Sequence, residues 1–345
     1  MERRIGRCLY APRHTRFLVA VQLALAGLAF APPVALTGQT SSFGPLWSEE
    51  ASPIHRLGHT PMSEGADPVE ARTFQVDVWS GFSNIFEQDS ADTHEVFIDM
   101  ERLATAVVAR YGLGNGLEIG GRVSLETTGG GILDAFITDW HDRLGLGNAN
   151  RGRYPFGDHE VRLAVDDEVL LQADSRTLAV EDVRIFAKWR MLSSESGANA
   201  LSLRTIARFP VNPGRTHRDR ADASMLALGR LQAGAWFGHI QAGATRLGAS
   251  PSYDAFLNRT TWFTLLGVER PLGDRWSAIV QYQRTTSLLR GIDDTELDGA
   301  AANLVFGVAG RVGEAWLWEA SFQEDLPADT PAVDFTLGIR VSRRW

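Results

Sequence analysis

The sequence predicts an all-β fold, an antiparallel transmembrane β-barrel of about 12 strands, and three observations predict it. Segments of about ten residues alternate apolar and polar side chains with a period of two. Short glycine-bearing turns alternate with longer polar connections, and aromatic residues gather beside the short turns. After residue 40 no stretch is long and apolar enough for a membrane helix, and only helices and closed barrels cross a bilayer with every backbone group bonded.

The first forty residues differ from the rest. Arg3, Arg4, Arg7, Arg13 and Arg16 precede an apolar run from Phe17 to Phe30. This is the charged and apolar pattern of a secretory signal, and the run is shorter than the ~20 residues a spanning helix needs. Residues 1–38 are therefore assigned to a signal peptide, with cleavage somewhere in 29–38; Pro32 disfavours a cut directly after Ala31. A retained helical anchor is the alternative. The single cysteine, Cys8, lies inside this leader after Ile-Gly-Arg, a context unlike a lipid-acylation site. The mature chain is thus expected to hold neither a disulfide nor a thiolate metal site, and no cofactor is expected. Loss of the five arginines and Glu2 of residues 1–31 moves the formal charge from −8 to −12. So acidic a chain, without any Lys/Arg-rich run, argues against nucleic acid as a partner.

Alternation is clearest in four segments. Leu117, Ile119, Val123 and Leu125 oppose Glu118, Arg122, Ser124 and Glu126; Trp276, Ala278, Val280 and Tyr282 oppose Ser277, Gln281, Gln283 and Thr285. Trp316, Trp318, Ala320 and Phe322 oppose Glu319, Ser321, Gln323 and Asp325, and the last segment sets Phe335, Leu337, Ile339, Val341 and Trp345 against Thr336, Arg340, Ser342 and Arg344, with Arg343 breaking the apolar row. The full pattern predicts strands near 73–84, 96–110, 116–126, 178–190, 200–210, 222–232, 234–247, 259–270, 275–288, 299–311, 315–325 and 333–345. The barrel domain is 73–345.

Short turns fall at Tyr111–Gly116, Gly234-Ala235, Gly273–Arg275 and Gly313-Glu314, with 191–199 the longest of that set and the weakest fit. Longer connections at 86–95, 127–177, 211–221, 248–258, 289–298 and 326–332 are assigned to the outer surface. Tyr111, Trp189, Trp236, Trp276, Trp316 and Trp345 lie beside the short turns and read as one interfacial girdle. A soluble sandwich capped by tryptophans is the alternative.

The connection 127–177 is too long to lack structure. Apolar residues at 132, 133, 136, 137, 140 and 144 predict an amphipathic helix over 132–144 ending at Gly145, and Val161–Ala173 reads as a hairpin turning at Asp166-Asp167. Counting those pieces as wall strands gives a fourteen-strand alternative. Residues 39–72, rich in Pro, Ser, Gly and Glu, show no sustained period and are assigned to an N-terminal periplasmic segment, or else to the lining of the barrel mouth.

Three stretches carry a resemblance to known sequences: Tyr111-Gly-Leu-Gly-Asn-Gly-Leu-Glu118, Gly130-Gly-Ile-Leu-Asp-Ala-Phe-Ile-Thr-Asp-Trp-His-Asp142 and Leu144-Gly-Leu-Gly-Asn-Ala-Asn-Arg151. The chain resembles an uncharacterised domain-of-unknown-function family of predicted Gram-negative outer-membrane proteins. The resemblance covers most of the mature chain and is densest from Asn84 to Arg151; Gly147 stands where the family tends to have proline. It implies an outer-membrane barrel with no established activity. Outer-membrane lipid, the outer-membrane insertion machinery acting on the C-terminal strand, and a small-molecule solute are the expected partners.

Parity places Glu118, Arg122, Glu126, Arg184, Lys188, Arg204, Arg208, Arg230, Gln232, Gln281, Gln283, Glu319 and Arg340 toward the lumen. Charges of both signs suit either a water-filled passage or a salt-bridged, closed interior. On the predicted helix and after it, Asp134, Asp139, His141, Asp142 and Arg151 form a candidate cluster for a cation or polar ligand, against which stands a solvated or capping helix face. His239 is the one histidine well inside a strand, facing inward beside Gln241; no Gly-x-Ser-x-Gly elbow exists. The leading expectation is a passive channel or binding barrel for small polar or amphipathic solutes, not an enzyme, shaped by Arg204, Arg208, Arg122 and Glu118. A surface-interaction barrel acting through 127–177 and a lipid-active enzyme are the alternatives.

Overall fold

The computed structural model describes residues 42–91, 93–144, 151–166, 168–211, 220–251, 253–292, 297–326, 333 and 335–345, with the side chain of His141 excepted. The signal-peptide assignment and Gly147 lie outside them.

Among the described residues, twelve strands close a ring: β1 (Phe74–Ala91), β2 (His94–Gly114), β3 (Leu117–Gly129), β6 (Arg176–Ser193), β7 (Ala200–Pro210), β8 (Asp222–Ala233), β9 (Trp236–Arg246), β10 (Thr260–Pro271), β11 (Trp276–Thr285), β12 (Ala301–Val312), β13 (Trp316–Asp325) and β14 (Phe335–Arg344). Each is antiparallel to its neighbours, and β14 returns to β1 in register from Gln75–Arg344 to Asn84–Phe335. Closure leaves no exposed edge in the ring, which is what lipid demands. β4 (Glu160–Val165) and β5 (Glu168–Ala173) form the hairpin expected at 161–173. β4 pairs with the outer part of β2, taking the place that β3 vacates at Gly129, so the hairpin extends the wall upward and is not part of the ring.

The tight turns follow their chemistry. Asn115 and Gly116 connect β2 to β3 with φ of 51° and 73°, the positive pair that a two-residue hairpin turn needs and that Asn-Gly adopts most readily. The outer connection expected at 86–95 is corrected: β1 and β2 continue through it to Ala91 and His94. Their inward side chains Ile85, Val96, Ile98 and Met100 are apolar and pack with Leu163, Leu171, Leu257, Leu288 and Ile292 in one cluster that closes the outer mouth. Burial of that row holds the two strands together beyond the bilayer.

The segment assigned to the periplasm is also corrected. Residues 42–72 run inside the barrel. They start beside Glu269 near the short-turn end, climb to the short helix α1 (Pro53–Arg56), whose Ile54 joins the outer apolar cluster, and descend to leave beside Gly112. Most of the segment is buried, including Leu46, Trp47, Glu49, His55, His59 and Glu64. Side chains on every side of it meet wall, so no single apolar face, and hence no period, is written into it.

The exit is tight. Gly112 donates its N–H to Thr73 and accepts from Arg72, and a Cβ there would overlap the Glu70 carbonyl. Gly112→Val should therefore push residues 69–72 off β2. Trypsin cleavage at Arg72 should accelerate at least tenfold while the heat-modifiable electrophoretic shift of the folded ring persists; unchanged cleavage would contradict this exit path.

Candidate functional site

Strand register sets cation beside cation on the inner wall. Arg122 lies opposite Arg184, Arg184 opposite Arg208, and Lys188 opposite Arg204. Like charges so placed repel, and buried they would be costly without counter-charges. The inner segment supplies most of these. Glu49 bridges Arg122 at 2.6 Å and Arg184 at 2.8 Å. Glu64 bridges Lys188 at 2.9 Å and Arg204 at 3.0 Å and also pairs with Arg110. Burial opposes ionisation of Glu64, but Arg110, Arg204 and Lys188 outweigh it and hold the carboxyl well below its usual range. Asp182, a wall residue, joins Arg184 at 2.9 Å to Arg208 at 2.7 Å.

The other residues placed inward by parity are buried as well. Glu118 accepts from the Val69 N–H at 2.7 Å, and Glu126 pairs with Arg56 of α1 and with Arg102 at 3.4 Å. Arg230 pairs with Asp67 and donates to the Ala198 carbonyl at 3.0 Å. Gln283 accepts from Ser48 at 3.0 Å, while Gln281 accepts from the Leu46 N–H at 3.0 Å and donates to the Leu46 carbonyl at 3.1 Å. Glu319 accepts from the Trp47 N–H at 3.1 Å, and Arg340 lies 3.8 Å from the centre of the Trp47 ring while pairing with Asp77 and Glu319. Gln232 departs from the expectation. It is exposed at the short-turn rim, where its N–H bonds to Asn199, because β8 ends there.

Wall residues of the network that were not singled out in the sequence include Asp222 on β8, which pairs with Arg208 at 3.3 Å, and, on β1, β2 and β6, Asp77, Arg102, Arg110, Glu181 and Asp182. Continuing the two-residue parity along β1, β2 and β6 finds Asp77, Arg102, Arg110 and Asp182; Glu181 is off that parity and turns inward at the bulge where the β3 register slips from Asp182 to Val180. Glu49, Glu64 and Asp67 carried no comparable signal, since their segment has no period.

Two further groups deserve a chemical reading. Among the described residues Glu50 pairs with no cation; its oxygens accept from the Ser52 N–H at 3.0 Å and from Asn303 at 2.6 Å, and burial raises its pKa to about 7. His239 Nε2 lies 3.0 Å from Glu269 and 3.5 Å from Ser42, which also donates to Glu269. Serine and carboxylate thus meet the same ring nitrogen, whereas a hydrolytic relay puts them on opposite ones. Glu269 also accepts from the Phe43 N–H at 2.9 Å, so this cluster fastens the start of the inner segment to β10.

The outer-loop cluster is not one site. Asp134 is buried and accepts from Asn84 at 3.0 Å, the Gly157 N–H at 2.8 Å and Arg151 at 3.3 Å. Asp139 is exposed, 3.9 Å from Arg143, and Asp142 is exposed too; the His141 side chain lies outside the described residues. Among the described residues no group of three His, Cys, Asp or Glu is placed to hold a metal. The helix α2 (Asp134–Leu144) lies against the outside of the wall, with Phe136 on Phe335 and Trp140 on Phe322, each pair 5.9 Å apart. At the opposite end Tyr111, Trp189, Trp276, Trp316 and Trp345 are exposed on the outer surface, and Trp236 is half-buried with Arg270 over its ring. Arg343, the break in the apolar row of β14, lies over the rings of Trp316 and Trp345, where a long cation reaches the headgroup layer.

The chain belongs to the family described as protein of unknown function (DUF3187), whose model matches residues 29–345. No curated protein matches it. Among solved structures it is similar to the COG4313 outer membrane channel from Pseudomonas putida F1, at 14% identity and a TM-score of 0.52, over 81% of this chain and 98% of that one. It also aligns with the KdgM porin at 5% identity and a TM-score of 0.41, over 78% and 98% of the two chains. A third match is the CymD monoaromatic hydrocarbon channel, at 9% identity and a TM-score of 0.39 over 80% and 90%. The protein has the fold of an outer-membrane β-barrel.

Two outcomes follow. Glu50 takes up a proton more readily when buried than its ordinary 4.5 allows, so it favours the folded state below pH 4.5 and that contribution is lost as pH rises through about 7. Glu50→Gln, always neutral, should raise the denaturation midpoint at pH 8 by an amount worth up to about 3 kcal/mol and leave it unchanged at pH 4.5; an equal gain at both pH values would contradict this. Asp134→Ala should free the loop at a cost of about 2 kcal/mol, seen as faster amide exchange over 130–158 with the ring intact.

Proposed function

We propose that this member of the DUF3187 family is a channel or binding barrel for small polar or amphipathic solutes, held closed by its own N-terminal segment. One observation carries the reading: the lumen is filled by a separate stretch of chain passing up and back, and not by the wall's own side chains meeting across it. A wall that holds two passes of polypeptide encloses room for a solute once they withdraw. Arg122, Arg204, Arg208 and Glu118 would then shape the passage.

The lining changes along its length, from the charged lower part to the apolar row of Ile85, Val96, Ile98 and Met100 at the outer end, which fits an amphipathic solute. A solved barrel of the same architecture is an outer membrane channel, in agreement with this reading. The Ser42–His239–Glu269 arrangement, with both oxygens on one nitrogen, gives a hydrolase no support.

Planar-bilayer recording tests it. The wild-type full chain should open rarely, and Glu49→Gln with Glu64→Gln, which strips the carboxylates between the paired cations, should raise open probability at least tenfold. Absence of single-channel events from both proteins, each shown to be folded by heat-modifiability, would remove the channel reading.

A further inference from the structure

Three arginines of the wall have a distinctive dependence on the plug formed by residues 42–72. Arg122 on β3, Arg204 on β7 and Arg230 on β8 form their ion pairs, among the described residues, with Glu49, Glu64 and Asp67 alone. Their neighbours differ: Arg184 and Arg208 keep Asp182, Lys188 keeps Glu118, and Arg340 keeps Asp77 and Glu319 if the plug leaves. Moreover, among the described residues, Arg122 Nε and Arg204 Nε, both buried, have no hydrogen-bond partner, and both residues line a cavity of about 20 Å³ beside Glu64. Three guanidinium groups on one wall therefore await carboxylates from something that is not wall.

The wall also reads main chain. Gln281 takes both the N–H and the carbonyl of Leu46, at 3.0 and 3.1 Å, as a neighbouring strand would. Gln241 accepts from the Glu64 N–H at 3.1 Å and donates to the Met62 carbonyl at 3.4 Å. Ser202 donates to the Ala66 carbonyl, and Lys188 donates to the carbonyls of Gly65 at 3.3 Å and Asp67 at 3.0 Å. A side-chain amide can bond an N–H and a carbonyl on the same side of an extended chain at once, because its own acceptor and donor lie side by side. Arginines matched to carboxylates and amides matched to main-chain N–H and carbonyl groups together describe a site for an extended acidic peptide.

We infer that the lumen is a binding site for short acidic peptides, with Arg204 and Arg230 taking two carboxylates three residues apart, Gln241 taking the main chain before them and Ser202 and Lys188 the main chain between them, and that the plug occupies this site as a tethered stand-in. The inference rests on the proposed function in that the plug must withdraw. Binding and conduction are nevertheless separate readouts, so failure of either is distinguishable. A tethered competitor has an effective concentration in the millimolar range, which is why a free peptide needs the plug weakened.

The probe is a fluorescent peptide of residues 60–69, Thr-Pro-Met-Ser-Glu-Gly-Ala-Asp-Pro-Val. It is titrated by anisotropy onto the full-length Glu64→Gln/Asp67→Asn barrel in detergent. Binding should be at least tenfold tighter than for the same peptide with Gln and Asn in place of its two acids. Adding Arg204→Gln and Arg230→Gln to the barrel should abolish that difference. Should the Glu64→Gln/Asp67→Asn protein fail to fold, Gly112→Val, which loosens the plug with its carboxylates intact, gives the same readout. Equal binding of acidic and neutral peptides would overturn the inference, as would an acidic oligosaccharide that displaces the probe at lower concentration than the unlabelled peptide does. Peptide binding without any conductance would retain this site and remove the channel.

Discussion

The placement of guanidinium beside guanidinium is the constraint from which the rest of the interior follows. Strand register fixes Arg122 against Arg184 and Lys188 against Arg204, and the register cannot slip by one residue without turning every apolar side chain of the outer face inward. The lipid belt therefore holds these cations beside one another on an inner wall whose own carboxylates, among them Glu118 and Asp182, meet only part of their charge. Glu49 and Glu64 are the counter-charges that quiet it, and they come on a segment that is not wall. The plug is in this sense a consequence of the sheet. Its withdrawal is an exchange of counter-charges, in which water, small anions or the carboxylates of a ligand replace its own.

Above this ionic layer the interior changes character. Ile54 and Leu57 of the plug meet Ile85, Val96 and Ile98 of the wall and the residues of the outer connections, in a cluster without ions. Apolar contact and the Arg56 pairs with Glu126 and Glu181 hold the tip of the plug, and the ion pairs of Glu49, Glu64 and Asp67 hold its two limbs. The halves respond differently to conditions: the tip weakens with agents that solvate apolar groups, and the limbs weaken when carboxylates protonate. Outside, the loop that leaves β3 folds back over β1, β2, β13 and β14, fastened by Asp134 and Arg151 to Asn84, so the polar cluster there serves attachment.

Much of the wall was legible in the sequence because a barrel strand has one face in lipid and one in the lumen, and a period of two is the direct record of that division. Residues Leu117 to Glu126 show it cleanly, and β3 lies where the alternation placed it. The excursion was legible for a similar reason: Ile137 is buried while Asp139 is exposed, which is the asymmetry that helical spacing writes. The outer ends of β1 and β2 were hidden because Phe86, outward by parity, is covered by Tyr154 and Arg151, so both faces are buried and the alternation fades. The plug was hidden for the same physical reason carried further. Glu64 faces Arg110, Lys188 and Arg204 while its N–H faces Gln241, and a residue surrounded in this way leaves no directional pattern. Composition rich in Pro, Ser, Gly and Glu reads as a solvated tail unless its charged partners are known to be waiting.

Where the segment 42–72 resides is the claim on which the account stands. Ser63, fully buried between the two limbs, reports on it with little disturbance to size. Ser63→Cys in otherwise native protein, treated with a membrane-impermeant maleimide in outer-membrane preparations opened to reagent from both sides, is expected to stay unlabelled until the barrel is denatured and then to label fully. Complete labelling of the folded barrel at the rate of an exposed thiol would place the segment outside the lumen and contradict the account.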